Sequence, residues 1–376
     1  MCIRDRLTAE LASHSGAGVG RSGHARVTGA GVGVAGVDDH GAGVPVGRVL
    51  IGEDARRGLD LVRGGDGSDT RTAVRRDERQ VGCEPTDVIP LSTGIIGVPM
   101  PTRTLLDGVP PVVAALGREP SHAEQAAEAI TTTDTRTKQV AVEVRDGNGT
   151  CRIAGMAKGA GMIEPAMATM LCVITTDAPL SGAALRPMLR QAVNRTFNRI
   201  SVDACGSTND TVVVLASGAA DQPPGLSAFQ AGLEAVCAAL AREIVEDGEG
   251  TTRVAEVTVG NARTEQDAVD LARAVTSSTL FRAALHGADP NWGRVLGALG
   301  TSDVPFDPRR VAVKFQGVTV CRFGAAVAFD RGNLAARMDK PLVEVEIDLG
   351  AGDAAATLLT ADLTPAYVAE NAYYTT

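Results

Sequence analysis

The segment "KGAGMIEPAMATMLCVITTDA", residues 158–178, sets a threonine, Thr169, between a small residue, Ala168, and an apolar run. That run, "MLCVITTDA" (170–178), is rich in apolar and β-branched residues, which predicts a buried central strand. Ahead of it, "KGAG" predicts a turn that lets the backbone approach a neighbouring group closely. By residue type alone Thr169 is a threonine at a strand edge. Its surroundings admit a second reading: Lys158 supplies a cation, and Ala168 leaves the preceding peptide open, so the hydroxyl can attack its own preceding carbonyl. Cleavage would then make Thr169 a new N-terminus. An α-amine with a pKa of about 8 is suited to take the hydroxyl proton, so one residue can provide both nucleophile and base. No Ser-His-Asp set is recognisable, and this chemistry needs none.

Outward from this segment strands and helices alternate, which predicts a mixed α/β fold. "QVAVEVR" (139–145) alternates like a half-buried strand, and "DTVVVLASG" (210–218) reads as another strand. Between them Leu185, Leu189, Val193 and Phe197 recur every four residues and predict a helix, with Pro187 in its first turn or kinking it. Pro223, Pro224 and Gly225 precede a long helix whose apolar face is Leu226, Phe229, Leu233, Val236, Leu240 and Ile244, stopping at "DGEG". "RVAEVTVGNA" (253–262) predicts a strand, 265–285 one helix, "ADPNWG" (288–293) a turn, and "VAVKFQGVTVC" (311–321) and "LVEVEIDLG" (342–350) further strands before a polar tail.

Composition narrows the function classes. The chain has 376 residues, a net charge of -9 and 44% hydrophobic residues, enough for a sizeable core. An acidic balance with little Lys argues against a nucleic-acid surface. No apolar run nears the roughly 20 residues that span a bilayer, and no signal-peptide pattern opens the sequence, so the expected location is the cytoplasm. The seven cysteines are scattered without a CxxC pair, so neither a disulfide framework nor a metal site is expected. Residues 1–85 stand apart as an anomalous region with 17 of the 43 glycines and no aromatic residue. They read either as low-complexity sequence or as a misread frame in GC-rich DNA.

The segment 158–178, together with "TFNRISVDACGSTNDTVVVLASG", "EDGEGTTRVAEVTVG", "GADPNWGRVLGALG" and "YVAENAYYTT", resembles the ornithine acetyltransferase family, the glutamate N-acetyltransferases of arginine biosynthesis. The resemblance covers residues 86–376. It implies a layered, N-terminal-nucleophile-like α/β fold with β-sheets packed between helices and a smaller C-terminal α/β region. It also implies autoproteolysis between Ala168 and Thr169, with residues 86–168 in an α chain and 169–376 in a β chain, and pairing into an α2β2 assembly. Carried over residue by residue, Thr169 is the nucleophile and Thr93 and Gly94 of "STGIIG" form the oxyanion hole. Thr135, Lys158, Thr169, Glu249, Asn371 and Thr376 are the substrate contacts.

The implied reaction takes acetyl from N2-acetyl-L-ornithine onto Thr169 and passes it to L-glutamate. No metal or bound cofactor is implied; acetyl-CoA enters as a co-substrate only if the enzyme is also an N-acetylglutamate synthase. A self-processing amidohydrolase or aminopeptidase, and an inactive product of a damaged N-terminus, are the alternatives. Two departures from the family pattern stand out: Ala166 in place of Asn, and "DACGSTND" (203–210) in place of a more polar turn. Cys205 of that turn has no neighbouring His in sequence and is not expected to be a nucleophile.

Overall fold

The computed structural model describes residues 89, 91, 93, 101–164, 170–206 and 210–373. Gly94, Ala166, Ala168, Thr169 and Thr376, and all of the region 1–85, lie outside the described residues. In chain order the elements are α1 (Thr102–Ala114), α2 (Pro120–Ala129), β1 (Lys138–Arg145), β2 (Thr150–Lys158), β3 (Leu171–Thr176), α3 (Gly182–Arg195), β4 (Ile200–Ser201), β5 (Thr211–Ala216), α4 (Leu226–Glu246) and β6 (Val254–Ala262). They continue with α5 (Glu265–Thr276), α6 (Thr279–His286), α7 (Trp292–Leu299), β7 (Ala312–Phe315), β8 (Val318–Arg322), β9 (Ala325–Ala326), α8 (Arg331–Met338), β10 (Leu342–Asp348), β11 (Ala354–Ala361) and α9 (Pro365–Tyr373).

The first sheet has the order β1-β2-β3-β5. β1 and β2 form a hairpin closed by Asp146, whose carboxylate accepts from Asn148 N at 2.8 Å. It also accepts from Gly225 N at 2.8 Å, tying the hairpin to the start of α4. β3 lies inside the sheet, antiparallel to β2 and parallel to β5, as its apolar run predicts. α4 covers this sheet with Phe229, Leu233, Val236, Leu240 and Ile244, all buried, while Leu226 at its first position is exposed. Gly232 lets the helix come close: a Cβ there would lie 2.3 Å from Val144 Cγ2. Pro187 lies inside α3, past the first turn, and Phe197 falls in a separate 3-10 turn.

The second sheet has the order β4-β11-β6-β10-β7-β8-β9. In β10, Val343, Val345 and Ile347 are buried and alternate with exposed Glu344, Glu346 and Asp348. That pattern belongs to a sheet with one covered face. The β7–β8 hairpin turns at Gln316 (φ 48°) and Gly317 (φ 75°), the paired left-handed conformation of a two-residue hairpin loop. Helices α5 to α8 contribute to the core of this half.

The stretch 265–285 is two helices rather than the one predicted. Ser278 adopts extended backbone and caps α6 through its hydroxyl, which accepts from Phe281 N at 3.3 Å, and Ser277 Oγ donates to Glu164 at 2.6 Å. Side chains that bond the backbone locally or reach outward compete with helix continuation. The "polar tail" is likewise a helix as far as Tyr373, and β2 and β11 are strands that the apolar pattern did not announce.

Candidate active site

The site grows from the turn that follows β2. Lys158 closes β2 and pairs in register with Leu171 of β3, so the chain leaves and re-enters the sheet at adjacent positions. Upstream of the undescribed residues 165–169, Asp203 accepts from Ile163 N at 3.0 Å, and Val202 N donates to Ile163 O at 2.8 Å. Downstream, Asp210 accepts from Met170 N at 2.8 Å, and Thr211 N donates to Met170 O at 3.0 Å. One segment, 202–211, therefore grips the chain on both sides of the expected cleavage point. This is the work of "DACGSTND", which the sequence offered only as a turn.

Beneath the turn lies a buried charge triad. Lys138 Nζ donates to Asp134 Oδ1 and Asp247 Oδ2, both at 2.5 Å, and its side chain is fully buried. Asp134 also accepts from Gly159 N at 2.7 Å, which fixes the first glycine of "KGAG". Burial pushes the Asp134 carboxyl up, but the Gly159 amide and Lys138 outweigh it and hold the group below the ordinary aspartate range. Asp247 holds Thr135, accepting its backbone N–H at 3.1 Å and also its hydroxyl proton. The Thr135 hydroxyl thus keeps only acceptor capacity for a substrate.

Glu249 occupies the third position of "DGEG" and is buried. It accepts from Thr133 Oγ1 at 2.8 Å and from Asn371 Nδ2 at 2.9 Å, and its own amide donates to Ala160 O at 2.7 Å. Glu249 and Asn371, 122 positions apart, thus meet around one carboxylate. α9 brings Asn371 there: Thr364 caps it by accepting from Tyr367 N at 3.0 Å and donates to Gly250 O at 2.8 Å. Gly250, at φ 63°, admits this because any Cβ would lie 2.3 Å from Tyr367 N. Thr133 was not singled out by sequence; nothing in "TTTDT" says which hydroxyl turns to Glu249.

Gly161 is constrained by the same carboxylate, since a Cβ there would lie 2.4 Å from Glu249 Oε2. Gly161→Ala should therefore fold yet displace Glu249. If Glu249 contacts the substrate as the family resemblance implies, losing one charge-assisted contact predicts a fall in kcat/KM of about 10-fold or more, measured by steady-state kinetics of the implied acetyl transfer. Unchanged kinetics would show that this carboxylate does not contact the substrate.

Lys158 Nζ donates to Thr93 Oγ1 at 3.2 Å. An ammonium has only donors, so Thr93 spends a lone pair there and its own hydroxyl proton stays available to another acceptor. Lys158 is itself buried, and burial pulls its pKa down against the opposing pull of Asp134 and Asp210. Among the described residues it has no carboxylate within ion-pair distance, and Glu249 has no cation. Cys205 is exposed, and its thiol is pushed up by desolvation and then by the Asp203 charge, the opposite of what a nucleophilic thiolate needs.

The described residues hold no cluster of His, Cys, Asp and Glu able to bind a metal. None of their helices is long and apolar enough to cross a membrane. The residues brought together are thus Thr93, Lys158, Thr133, Thr135, Glu249 and Asn371, around the turn that leads to residue 169.

Comparison with known proteins points the same way. The "Arginine biosynthesis bifunctional protein ArgJ" of Thermus thermophilus is 45% identical over 308 residues, 82% of this chain and 78% of that one. The protein of the same name from Streptomyces coelicolor is 45% identical over 307 residues, 81% and 78% of the two chains. A crystal structure of the Bacillus halodurans arginine biosynthesis bifunctional protein argJ is 33% identical, with a TM-score of 0.51, and covers 53% of this chain and 97% of that chain. The ArgJ family pattern matches residues 62–376, starting inside the Gly-rich region. With that match over most of its length and the site residues gathered around one turn, the chain belongs to the ArgJ family.

Proposed function

We propose that this protein is a glutamate N-acetyltransferase of arginine biosynthesis, moving acetyl from N2-acetyl-L-ornithine to L-glutamate through an acetyl ester on Thr169. The observation that carries this reading is the pair of buried opposite charges that have no ion-pair partner among the described residues, Lys158, which precedes the turn at 159–161, and Glu249, whose amide bonds Ala160 within it. Burying an unpaired charge is costly, and a substrate carrying both a carboxylate and an ammonium removes both costs at once. Lys158 takes the carboxylate and Glu249 the ammonium. Thr133, Thr135 and Asn371 shape the remaining polar contacts, with Thr376 assigned to the same pocket.

In the chemical step the Thr169 hydroxyl attacks the acetyl carbonyl while its proton passes to the α-amine freed by cleavage after Ala168. Negative charge develops on the carbonyl oxygen, where the Thr93 hydroxyl and the Gly94 N–H receive it. A donor aimed at such an oxyanion is worth about 3–4 kcal/mol of barrier. Collapse breaks the amide C–N bond, ornithine leaves with the proton, and glutamate then attacks the ester by the reverse path. Storing acetyl on the enzyme divides one exchange into two steps and makes the kinetics ping-pong.

Relatives that carry the name arginine biosynthesis bifunctional protein support the assignment. The two-chain reading is supported by the solved relative, whose chain is covered over 97% of its length by 53% of this one. Residues 169–376 form a piece of similar size. The same reading makes the protein an α2β2 assembly working in the cytoplasm.

The deciding experiment supplies acetylornithine to purified protein without glutamate and follows the intact mass of each chain. The Thr169 chain should gain one acetyl group and release ornithine once, and added glutamate should discharge it as N-acetylglutamate. Steady release of acetate without glutamate would overturn the reading in favour of a self-processing amidohydrolase. Charging the same chain with acetyl-CoA would show the second, synthase activity.

A further inference from the structure

Asp210 is a half-buried acid that the mechanism above does not use. It sits immediately before β5, whose parallel register with β3 sets Thr211 opposite Leu171. That register brings its carboxylate onto Met170 N at 2.8 Å, while Thr211 N holds Met170 O at 3.0 Å. Both polar groups of Met170 are thus fixed by consecutive residues of one strand end. The Met170 N–H is half of the peptide bond to Thr169, and covalent geometry keeps successive backbone nitrogens within about 4 Å. Asp210 thus bonds the amide nitrogen that follows residue 169 in the chain. The other carboxylate oxygen makes no hydrogen bond among the described residues.

We propose that Asp210 is a positioning residue for the transfer reaction: as an anion it clamps the peptide joining Thr169 to Met170 and stabilises the ammonium formed when the Thr169 amine takes the hydroxyl proton. The inference rests on the assignment of Thr169 as nucleophile. The proton balance is closed: the hydroxyl loses H⁺ to the amine, the amine becomes an ammonium beside a carboxylate, and the departing ornithine nitrogen takes that proton back.

Two further observations fit this role. Burial raises the Asp210 carboxyl to about 7 against the opposing effects of the Met170 amide and Lys158, so it changes charge in the range where an α-amine also titrates. The charged group acting on it is Lys158 at the end of β2, the strand beyond β3 in the sheet, which is under the influence of Asp134 and Lys138. An anion near an amine raises the amine pKa, and its removal lowers it.

The test uses the full chain with Asp210→Asn, whose amide oxygen still accepts from Met170 N but carries no charge. The protein should cleave itself as the parent does, because cleavage precedes the free amine. Its kcat should fall about 10-fold or more with KM changed less than about 3-fold, and the acidic limb of kcat/KM against pH should move down by about one unit. Cleaved protein with the parental kcat and an unmoved limb would overturn the proposal. So would a folded variant that no longer cleaves, since that would assign Asp210 to maturation.

If the Asn protein does not fold, Asp210→Glu decides. A limb at the parental position with reduced kcat supports the role, and a limb moved down overturns it. Thr169→Ala is measured alongside. Transfer activity surviving in that variant would sink the nucleophile assignment itself, an outcome distinct from any result at Asp210.

Discussion

Thr169→Ala should purify as a single uncleaved chain of 38.6 kDa and transfer acetyl at least about 10³-fold more slowly than the parent, by analogy with removal of a catalytic nucleophile elsewhere. The effect is expected to be large because one side chain serves twice. In the proposed mechanism its hydroxyl opens the peptide bond after Ala168, and the same oxygen then carries the acetyl group; without it there is neither a free amine to act as base nor an ester to store. The fold should persist. Val202, Asp203, Asp210 and Thr211 hold Ile163 and Met170 through bonds that do not involve residue 169. Intact mass, a melting curve and an acetylornithine–glutamate assay on one preparation check all three statements. A Thr169→Ala protein that is still cleaved, or an uncleaved one that turns over, would remove the basis of the proposed mechanism.

Lys138→Met should be the most destabilising single change in the described site. Met fills much the same volume, but it leaves Asp134 and Asp247 without the cation that each meets at 2.5 Å. Breaking a buried charge cluster by removing one partner costs about 3–5 kcal/mol. At a few degrees per kcal/mol for a chain of this size, this predicts a melting point roughly 10 °C lower. The pH dependence separates this cause from a simple packing defect. In the parent, Asp134 is held below its ordinary range, so its contribution is present at neutral pH and is lost as the pH falls through the folded pKa. In the variant that favourable term is gone, and a buried carboxylate without a cation gains stability by protonation. The difference in melting point between parent and variant should therefore be widest at pH 7–8 and shrink towards pH 4. A deficit constant across that range would point to packing alone.

The two predictions mark where reading the chain succeeded and where it stopped. Period-2 alternation at 139–145, the apolar run at 170–178 and the three- and four-residue spacing along 226–246 were legible because burial of one face leaves a direct trace in residue order. The failure at 265–285 has a local cause: Ser277 and Ser278 interrupt an otherwise continuous helical pattern with side chains that cap and reach outward. β11, "AAATLLTA", has small residues in place of the apolar half of the alternation, and its partner β6 lies about a hundred residues away.

For the site, Lys158, Glu249 and Asn371 were found by resemblance, through motifs long enough to be specific. Thr133, Lys138, Asp134 and Asp210 were not, since each is an ordinary residue type in a short polar stretch whose partner lies far along the chain or across a sheet. By itself the sequence determined many of the elements, the family and the threonine on which the proposed chemistry turns, since these depend on local composition and ordered motifs. The tertiary structure alone decided which buried charges are paired and which, among the described residues, are not. The reason is physical: an ion pair is set by a distance of a few ångströms, and residue order does not contain that distance until β2, β3, β5 and α9 have packed.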